Sequence, residues 1–218
     1  NGTRVDKRAK PIVAPSMGDA NRSRSHKNRS AHLTNGHLRL HAGFTQRLPE
    51  NSPIPIFHSA GCYWGKCSFC DYVNLHGGRK YRPRPVEEII ADIRYYQRMN
   101  HANFRMIAEA IPPRHAYKIA QALLRLNVNV KWHAFLRVDE GFSTSILEAM
   151  TRSGFSGTIG MESANDRALK ILNKGYTRAT IRNLFEKMRR ASSTNHHLNI
   201  MVGVPGVTYA DDLETYRF

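Results

Sequence analysis

From Pro53 onward the chain alternates short apolar runs with segments whose apolar residues recur at helical spacing. The runs are Ile54 to Ser59, Phe104 to Ala108, Val128 to Leu136, Thr158 to Met161 and Leu198 to Val204. Their length and their β-branched and aromatic residues predict strands. Between the first two, Val86, Ile89, Ile90, Ile93 and Tyr96 fall on one face, with Pro85 placed as a first-turn residue, which predicts a helix. Pro113 to Leu126 repeats the pattern with Ala116, Ile119, Ala120, Leu123 and Leu124. After the third run, Ser143 is positioned to cap a helix that carries Ile146, Leu147 and Met150 and ends at Gly154. Two helices follow the fourth run. One spans Asn165 to Leu172, and the other is capped by Thr177 with Ile181, Leu184, Phe185 and Met188 on one face. Repeated strand-helix units predict an α/β fold on a parallel sheet, with ligands bound at the carboxyl ends of the strands.

Residues 1–50 lack either period. They are rich in Arg, Lys, Ser, Asn and His, and only Leu38, Leu40 and Phe44 hint at burial, which predicts a basic, poorly ordered N-terminal segment ahead of a core domain at 53–218. The chain starts at Asn and stops at Phe218, as a fragment with arbitrary ends would. Of 33 Lys and Arg against 17 Asp and Glu, the first 50 residues hold 10 against 3, so the net +16 is shared by both regions. Solvated surface plus a loose tail explains most of that charge, and an RNA-facing surface is the second reading. No apolar run approaches the roughly 20 residues of a membrane helix, and the start has no signal-peptide core. A soluble, cytoplasmic protein without membrane contact is expected.

All three cysteines lie in one loop, Gly61-Cys62-Tyr63-Trp64-Gly65-Lys66-Cys67-Ser68-Phe69-Cys70, directly after the first predicted strand. An odd, clustered set argues for metal or redox chemistry instead of a disulfide framework. Three thiolates can hold three irons of a cubane and leave the fourth open to an outside ligand. The competing readings are a zinc site completed by His58 or His76, and three merely buried thiols.

The loop resembles that of the radical S-adenosylmethionine (SAM) superfamily, whose three-cysteine motif follows the first strand of a partial (βα)6 TIM-like barrel. Phe69 occupies the aromatic place before the last cysteine, while the first gap is four residues where three are usual. The wording Gly-Cys-Tyr-Trp-Gly-Lys-Cys is similar to members that carry a cobalamin-binding domain. The resemblance implies a [4Fe-4S] cluster on Cys62, Cys67 and Cys70. SAM would chelate the open iron and be cleaved to a 5'-deoxyadenosyl radical, with an external donor such as flavodoxin or ferredoxin supplying the electron. It implies SAM contacts at Glu109, which follows Ile107-Ala108, and at Arg137. It implies others in the Gly-x-Glu-Ser strand end at Glu162 and Ser163, and at Gly203, whose turn would back the adenine. Lys174, in the run Asn173-Lys174-Gly175, would stay near the site. Taken residue by residue, Glu109 also suits a helix cap, Arg137 a salt bridge with Asp139 or Glu140, Lys174 a helix C-terminus, and His133 a structural role.

The resemblance covers Pro53 to the C-terminus and stops before a sixth strand, and no cobalamin-binding His motif is found. A methyltransferase, a peptide- or lipid-modifying enzyme, or an RNA-directed methylthiotransferase is the expected kind of function, with the substrate unassigned. Cobalamin would belong to a longer protein. The alternatives are a non-catalytic zinc- or nucleic-acid-binding module and an inactive truncated barrel.

Overall fold

The computed structural model describes residues 48, 49, 51–75 and 81–218. The expectations for residues 1–47, including Leu38, Leu40 and Phe44, and for His76 fall outside the described residues.

Five parallel strands form the main sheet in the order β1 (Ile54–Phe57), β4 (Asn103–Ile107), β5 (Lys131–Arg137), β6 (Phe155–Glu162) and β7 (His196–Ile200). Each crossover carries at least one helix. These are α1 (Tyr72–Leu75) and α2 (Val86–Gln97), then α3 (Pro113–Arg125), α4 (Thr144–Arg152), and the pair α5 (Asp166–Ile171) and α6 (Arg178–Arg190). A last helix, α7 (Tyr209–Tyr216), follows β7. This is the (βα) array of a partial TIM-like barrel.

Alternation along the strands sets the core. In β5, Trp132, Ala134 and Leu136 are buried between less buried neighbours, and Ile54, Ile56, Phe104, Met106, Ile159 and Met161 join them from the other strands. The helices answer with Ile89, Ile93, Tyr96, Ile119, Leu123, Leu147, Met150, Ile181 and Leu184. Each such side chain contributes about 1.5–3 kcal/mol by leaving water. The caps fall where expected: the Ser143 hydroxyl accepts from the Ile146 amide, and Thr177 forms a reciprocal capping box with Thr180. Pro85 sits one position earlier than expected, as the residue before the first helical turn of α2.

The strand ends differ from the apolar runs because a ladder lasts only as long as its partner. β4 stops at Ile107, so β1 leaves it at Phe57, and Ser59–Ala60 (β2) pairs instead, antiparallel, with Arg82–Pro83 (β3). β5 begins at Lys131, opposite Asn103, so Val128 and Val130 are buried ahead of the strand and not in it. β6 extends back to Phe155 through Gly157, which interrupts the apolar run in sequence without breaking the ladder. β7 ends at Ile200, and residues 201–204 lie beyond it.

Two buried histidines sit where β1 gives way to β2. Nε2 of His58 pairs with the Glu109 carbonyl at 3.1 Å, and Nε2 of His115 pairs with the His58 carbonyl at 3.1 Å. Burial, aided by the nearby His115, pulls His58 from 6.5 down to about 4, against the Glu109 carbonyl bond. Between those pH values the unfolded chain carries a proton here that the folded chain lacks, so stability falls as pH drops through that window. The full traverse costs about 3 kcal/mol from His58. Urea unfolding midpoints measured from pH 7 to pH 4.5 are expected to fall, and the slope should flatten in His58→Gln; an equal slope in the variant contradicts the assignment.

No helix among the described residues is long and apolar enough to cross a membrane.

Candidate active site

The loop carrying the cysteines leaves β2 through Gly61, whose φ of +78° reverses the chain. It is fastened to a segment about a hundred residues away. The Ser68 amide and hydroxyl donate to the carbonyls of Leu172 and Ile171, at 3.1 and 2.8 Å. Trp64 Nε1 donates to the Asn173 carbonyl at 2.9 Å, and Asn173 Nδ2 donates to the Lys66 carbonyl at 2.7 Å. Gly175, at φ +67°, lies against the indole so closely that a Cβ there would sit 2.1 Å from Trp64 Cη2.

Arg137, at the end of β5, also packs on Trp64. Its guanidinium lies 4.0 Å from the Trp64 ring centroid and 5.0 Å from that of Tyr176, and donates to the carbonyls of Val138, at 3.0 Å, and Lys174. Asp139 stands 3.8 Å from the guanidinium and accepts the Tyr63 hydroxyl at 3.0 Å. The salt-bridge reading of Arg137 with Asp139 is therefore present, while its buried Nε has no protein partner. Tyr176 donates to the carbonyls of Gly160 and Met161, at 2.8 and 3.0 Å. Burial raises both the Tyr63 and Tyr176 hydroxyls far above the ordinary range, with Asp139 and Glu162 respectively adding to it, so both remain proton donors.

Two strand ends bring carboxylates to the same place. Glu162 ends β6 at φ +62°, where the β6–β7 ladder is irregular, and its carbonyl accepts the Met201 amide at 2.8 Å. A left-handed backbone at a glutamate costs about 1–2 kcal/mol and persists only where surrounding bonds impose it. Its carboxylate meets the buried Lys174 ammonium at 3.2 Å, and a Cβ at Gly160 would crowd Glu162 Oε1 to 2.9 Å. Glu109 follows Ala108, whose φ is +140°. Lys174 fills both roles foreseen for it: its amide closes the end of α5 on the Leu169 carbonyl, and its ammonium lies over the rings of Phe69 and Tyr176, 5.6 and 5.7 Å away.

These groups line a cavity of about 400 Å³ at the carboxyl ends of the strands. Cys62, Cys67, Phe69, Cys70, Glu109, Arg137 and Glu162 are all in its wall, together with Trp64, Lys174 and Met201. Ser163 and Gly203 are outside it. The Ser163 hydroxyl is buried against Thr215 at 2.9 Å, and the exposed Gly203 amide donates to Asp212 at 3.1 Å. Gly203 falls outside because β7 ends before it. His133 bonds Thr158 Oγ1 at 3.0 Å, a structural contact.

The thiols are free and half-buried. Burial pushes the Cys67 thiol up, opposed by Lys174 and Arg137. Among the described residues no three His, Cys, Asp or Glu side chains converge on a single-ion site. A cubane takes one thiolate per iron, and the three thiols line one cavity.

Trp64 and Tyr176 were not foreseen as parts of the site. The available signals were an indole inside the cysteine loop and a tyrosine directly after Asn173-Lys174-Gly175.

Comparison with known proteins gives this arrangement its class. The model of the Radical SAM superfamily matches residues 56–218, and the chain belongs to that superfamily. It is 27% identical over 164 residues to the ribosomal protein uS12 methylthiotransferase RimO of Chlorobium chlorochromatii (strain CaD3), covering 70% of this chain and 37% of that protein. It is 28% identical over 131 residues to the bacteriochlorophyllide d C-12(1)-methyltransferase of Chlorobaculum tepidum, covering 57% of this chain and 28% of the relative. The chain thus spans well under half the length of these relatives. Among solved structures, the cobalamin-dependent SAM radical enzyme OxsB matches with a TM-score of 0.56 at 20% identity, covering 76% of this chain and 26% of that one. The radical SAM methyltransferase TsrM from Kitasatospora setae matches with a TM-score of 0.62 at 14% identity, covering 77% and 34%. These two likenesses concern the fold. The chain is a radical SAM enzyme domain with methyltransferase and methylthiotransferase relatives.

Proposed function

We propose that the chain holds a [4Fe-4S] cluster on Cys62, Cys67 and Cys70, binds SAM in the adjoining cavity and cleaves it reductively in the service of methyl or methylthio transfer. The observation that carries this reading is the single cavity in which three free thiols meet two carboxylates and two fixed cations. The cluster, when bound, supplies one electron and an open iron for the amino and carboxylate groups of SAM.

The protein's own part is positioning and charge. Glu109 and Glu162 would receive the ammonium and ribose of the ligand, and Lys174 would meet its carboxylate. Gly160 leaves room beside Glu162, and Phe69 and Met201 offer apolar surface to the adenine. Arg137 acts mainly as the clip that holds Trp64 and the cysteine loop. Ser163 supports the strand end from behind, and Gly203 has no contact role in this reading.

The core domain is taken as 53–218 within a longer cytoplasmic protein, preceded by a basic segment at 1–50. Cobalamin is a candidate second cofactor of that longer protein, because both solved relatives are described with it. A flavodoxin- or ferredoxin-type donor is the proposed reductant.

The test is 5'-deoxyadenosine release from SAM and dithionite by anaerobically reconstituted protein. Release above the cluster-free control supports the reading, and a fully loaded protein that releases none refutes the SAM step.

The charge assignment has its own check. A buried cation stabilises the reduced, more negative cluster, so Lys174→Met is expected to lower the midpoint potential by on the order of 50–100 mV. A redox titration that finds the two potentials equal removes Lys174 from the cluster's field.

A further inference from the structure

His58 grips residues 107–109 at two points. Its amide donates to the Ile107 carbonyl, and its imidazole Nε2 meets the Glu109 carbonyl, both at 3.1 Å. Between those two carbonyls lies Ala108, at φ +140°. A residue with a Cβ keeps such a backbone only where its surroundings impose it. The two bonds from His58 impose it on one side. On the other, the Ile111 amide donates to the Phe135 carbonyl at 2.9 Å and ties down the far end of the turn. The β1–β4 ladder already ends at Phe57 and Ile107, so the ring's bond lies beyond the sheet and serves the turn alone.

The histidine is itself held. It is fully buried, and its carbonyl accepts from the Arg84 amide at 2.9 Å and pairs with Nε2 of His115 at 3.1 Å. A carbonyl can only accept, so Nε2 of His58 carries the proton of the neutral ring. Nδ1 is buried without a partner among the described residues, which fits the nitrogen that has no proton to place.

The turn delivers Glu109 to the cavity that the three thiols line, while His58 stays outside the cavity wall. Burial raises the Tyr72 hydroxyl, and Glu109, Cys62 and Cys70 add to that rise, so the carboxylate and two of the thiols are neighbours of one hydroxyl. A change of φ at Ala108 would redirect the chain at Glu109 and carry its carboxylate away from them.

We propose that His58 is a positioning residue for SAM binding, locking the strained Ala108 turn so that the Glu109 carboxylate stands ready for the amino group of the ligand. The inference rests on the SAM reading above. A carboxylate fixed in advance acts on affinity, because the ligand does not have to order it.

The experiment titrates two ligands by equilibrium dialysis into reconstituted wild type, His58→Gln and His58→Asn. They are SAM and 5'-methylthioadenosine, which lacks the amino-acid end. The glutamine amide reaches about as far as Nε2, whereas the asparagine amide is one methylene short, so the variants differ in reach and share their chemistry. Loss of one hydrogen bond's worth of ordering is expected to raise the Kd for SAM about tenfold in His58→Asn and no more than about twofold in His58→Gln. The Kd for 5'-methylthioadenosine should stay near wild type in both. Unchanged SAM affinity in His58→Asn overturns the proposal. An equal loss for both ligands also overturns it, since the whole cavity would then have shifted. If His58→Asn does not load its cluster, nitrogen NMR of the imidazoles in the oxidised wild type decides. A proton on Nε2 of His58 is expected, and a proton on Nδ1 alone overturns the proposal, because Nε2 could not then donate. Wild-type protein that holds its cluster but binds neither ligand refutes the SAM reading, and this inference with it.

Discussion

Cys67→Ala is expected to lose most of its iron on reconstitution and to release 5'-deoxyadenosine at least about a thousandfold more slowly, a loss of about 4 kcal/mol in transition-state stabilisation. The size follows from the donor set. No other cysteine exists in the chain to replace a lost ligand. Cys67 is also the thiol on which burial and the two cations Lys174 and Arg137 act in opposition. Metal binding releases the proton that burial retains, and the nearby positive charge favours the thiolate. Because the thiol is half-buried at a loop, its removal leaves the core intact, and far-UV circular dichroism should match wild type. Retention of the full iron content by the variant contradicts the ligand assignment.

Gly175→Ala is expected to destabilise the protein by about 2–4 kcal/mol and to weaken cluster retention together with it. The left-handed backbone at φ +67° charges an alanine about 1–2 kcal/mol by itself. The added carbon would also sit 2.1 Å from Trp64 Cη2, far inside van der Waals contact, so the indole must leave its seat. With it go the bond to the Asn173 carbonyl and the stack on Arg137, the contacts that fasten the cysteine loop to the end of α5. The double variant Trp64→Ala/Gly175→Ala removes the clash, so its loss should be clearly smaller than the sum of the single losses. Thermal unfolding of the four proteins measures this, and additive losses contradict the clamp.

The longer helices between the strands and the five strand-helix units could be read from the sequence because burial of one face is a local signal. Ile89, Ile93 and Tyr96 mark α2 as plainly as Trp132, Ala134 and Leu136 mark β5. The strand limits could not, since they depend on partners: Val202 is as apolar as Ile200, but β6 has already ended opposite it. The small β2–β3 ribbon and the short α1 leave no periodic trace at their lengths, and α7, with its capping box at Thr208 and Asp211, was also not foreseen.

Within the site, the cysteines and the other candidate residues were legible through motif wording, and all but Ser163 and Gly203 line the cavity. The clamp was not legible. It joins Trp64 and Ser68 to residues 171–175 across the barrel, and nothing in either segment names the other. The part of Arg137 as a clip was hidden for the same reason, because a guanidinium held over the Trp64 and Tyr176 rings is fixed by neighbours that sequence distance conceals.

The most direct test of the central claim is the iron, sulfide and zinc content of the anaerobically reconstituted chain. About four irons and four sulfides per chain, with only trace zinc, is the result expected of a cubane on Cys62, Cys67 and Cys70. A colourless protein holding about one zinc per chain would contradict it and return the cysteine loop to a structural metal site.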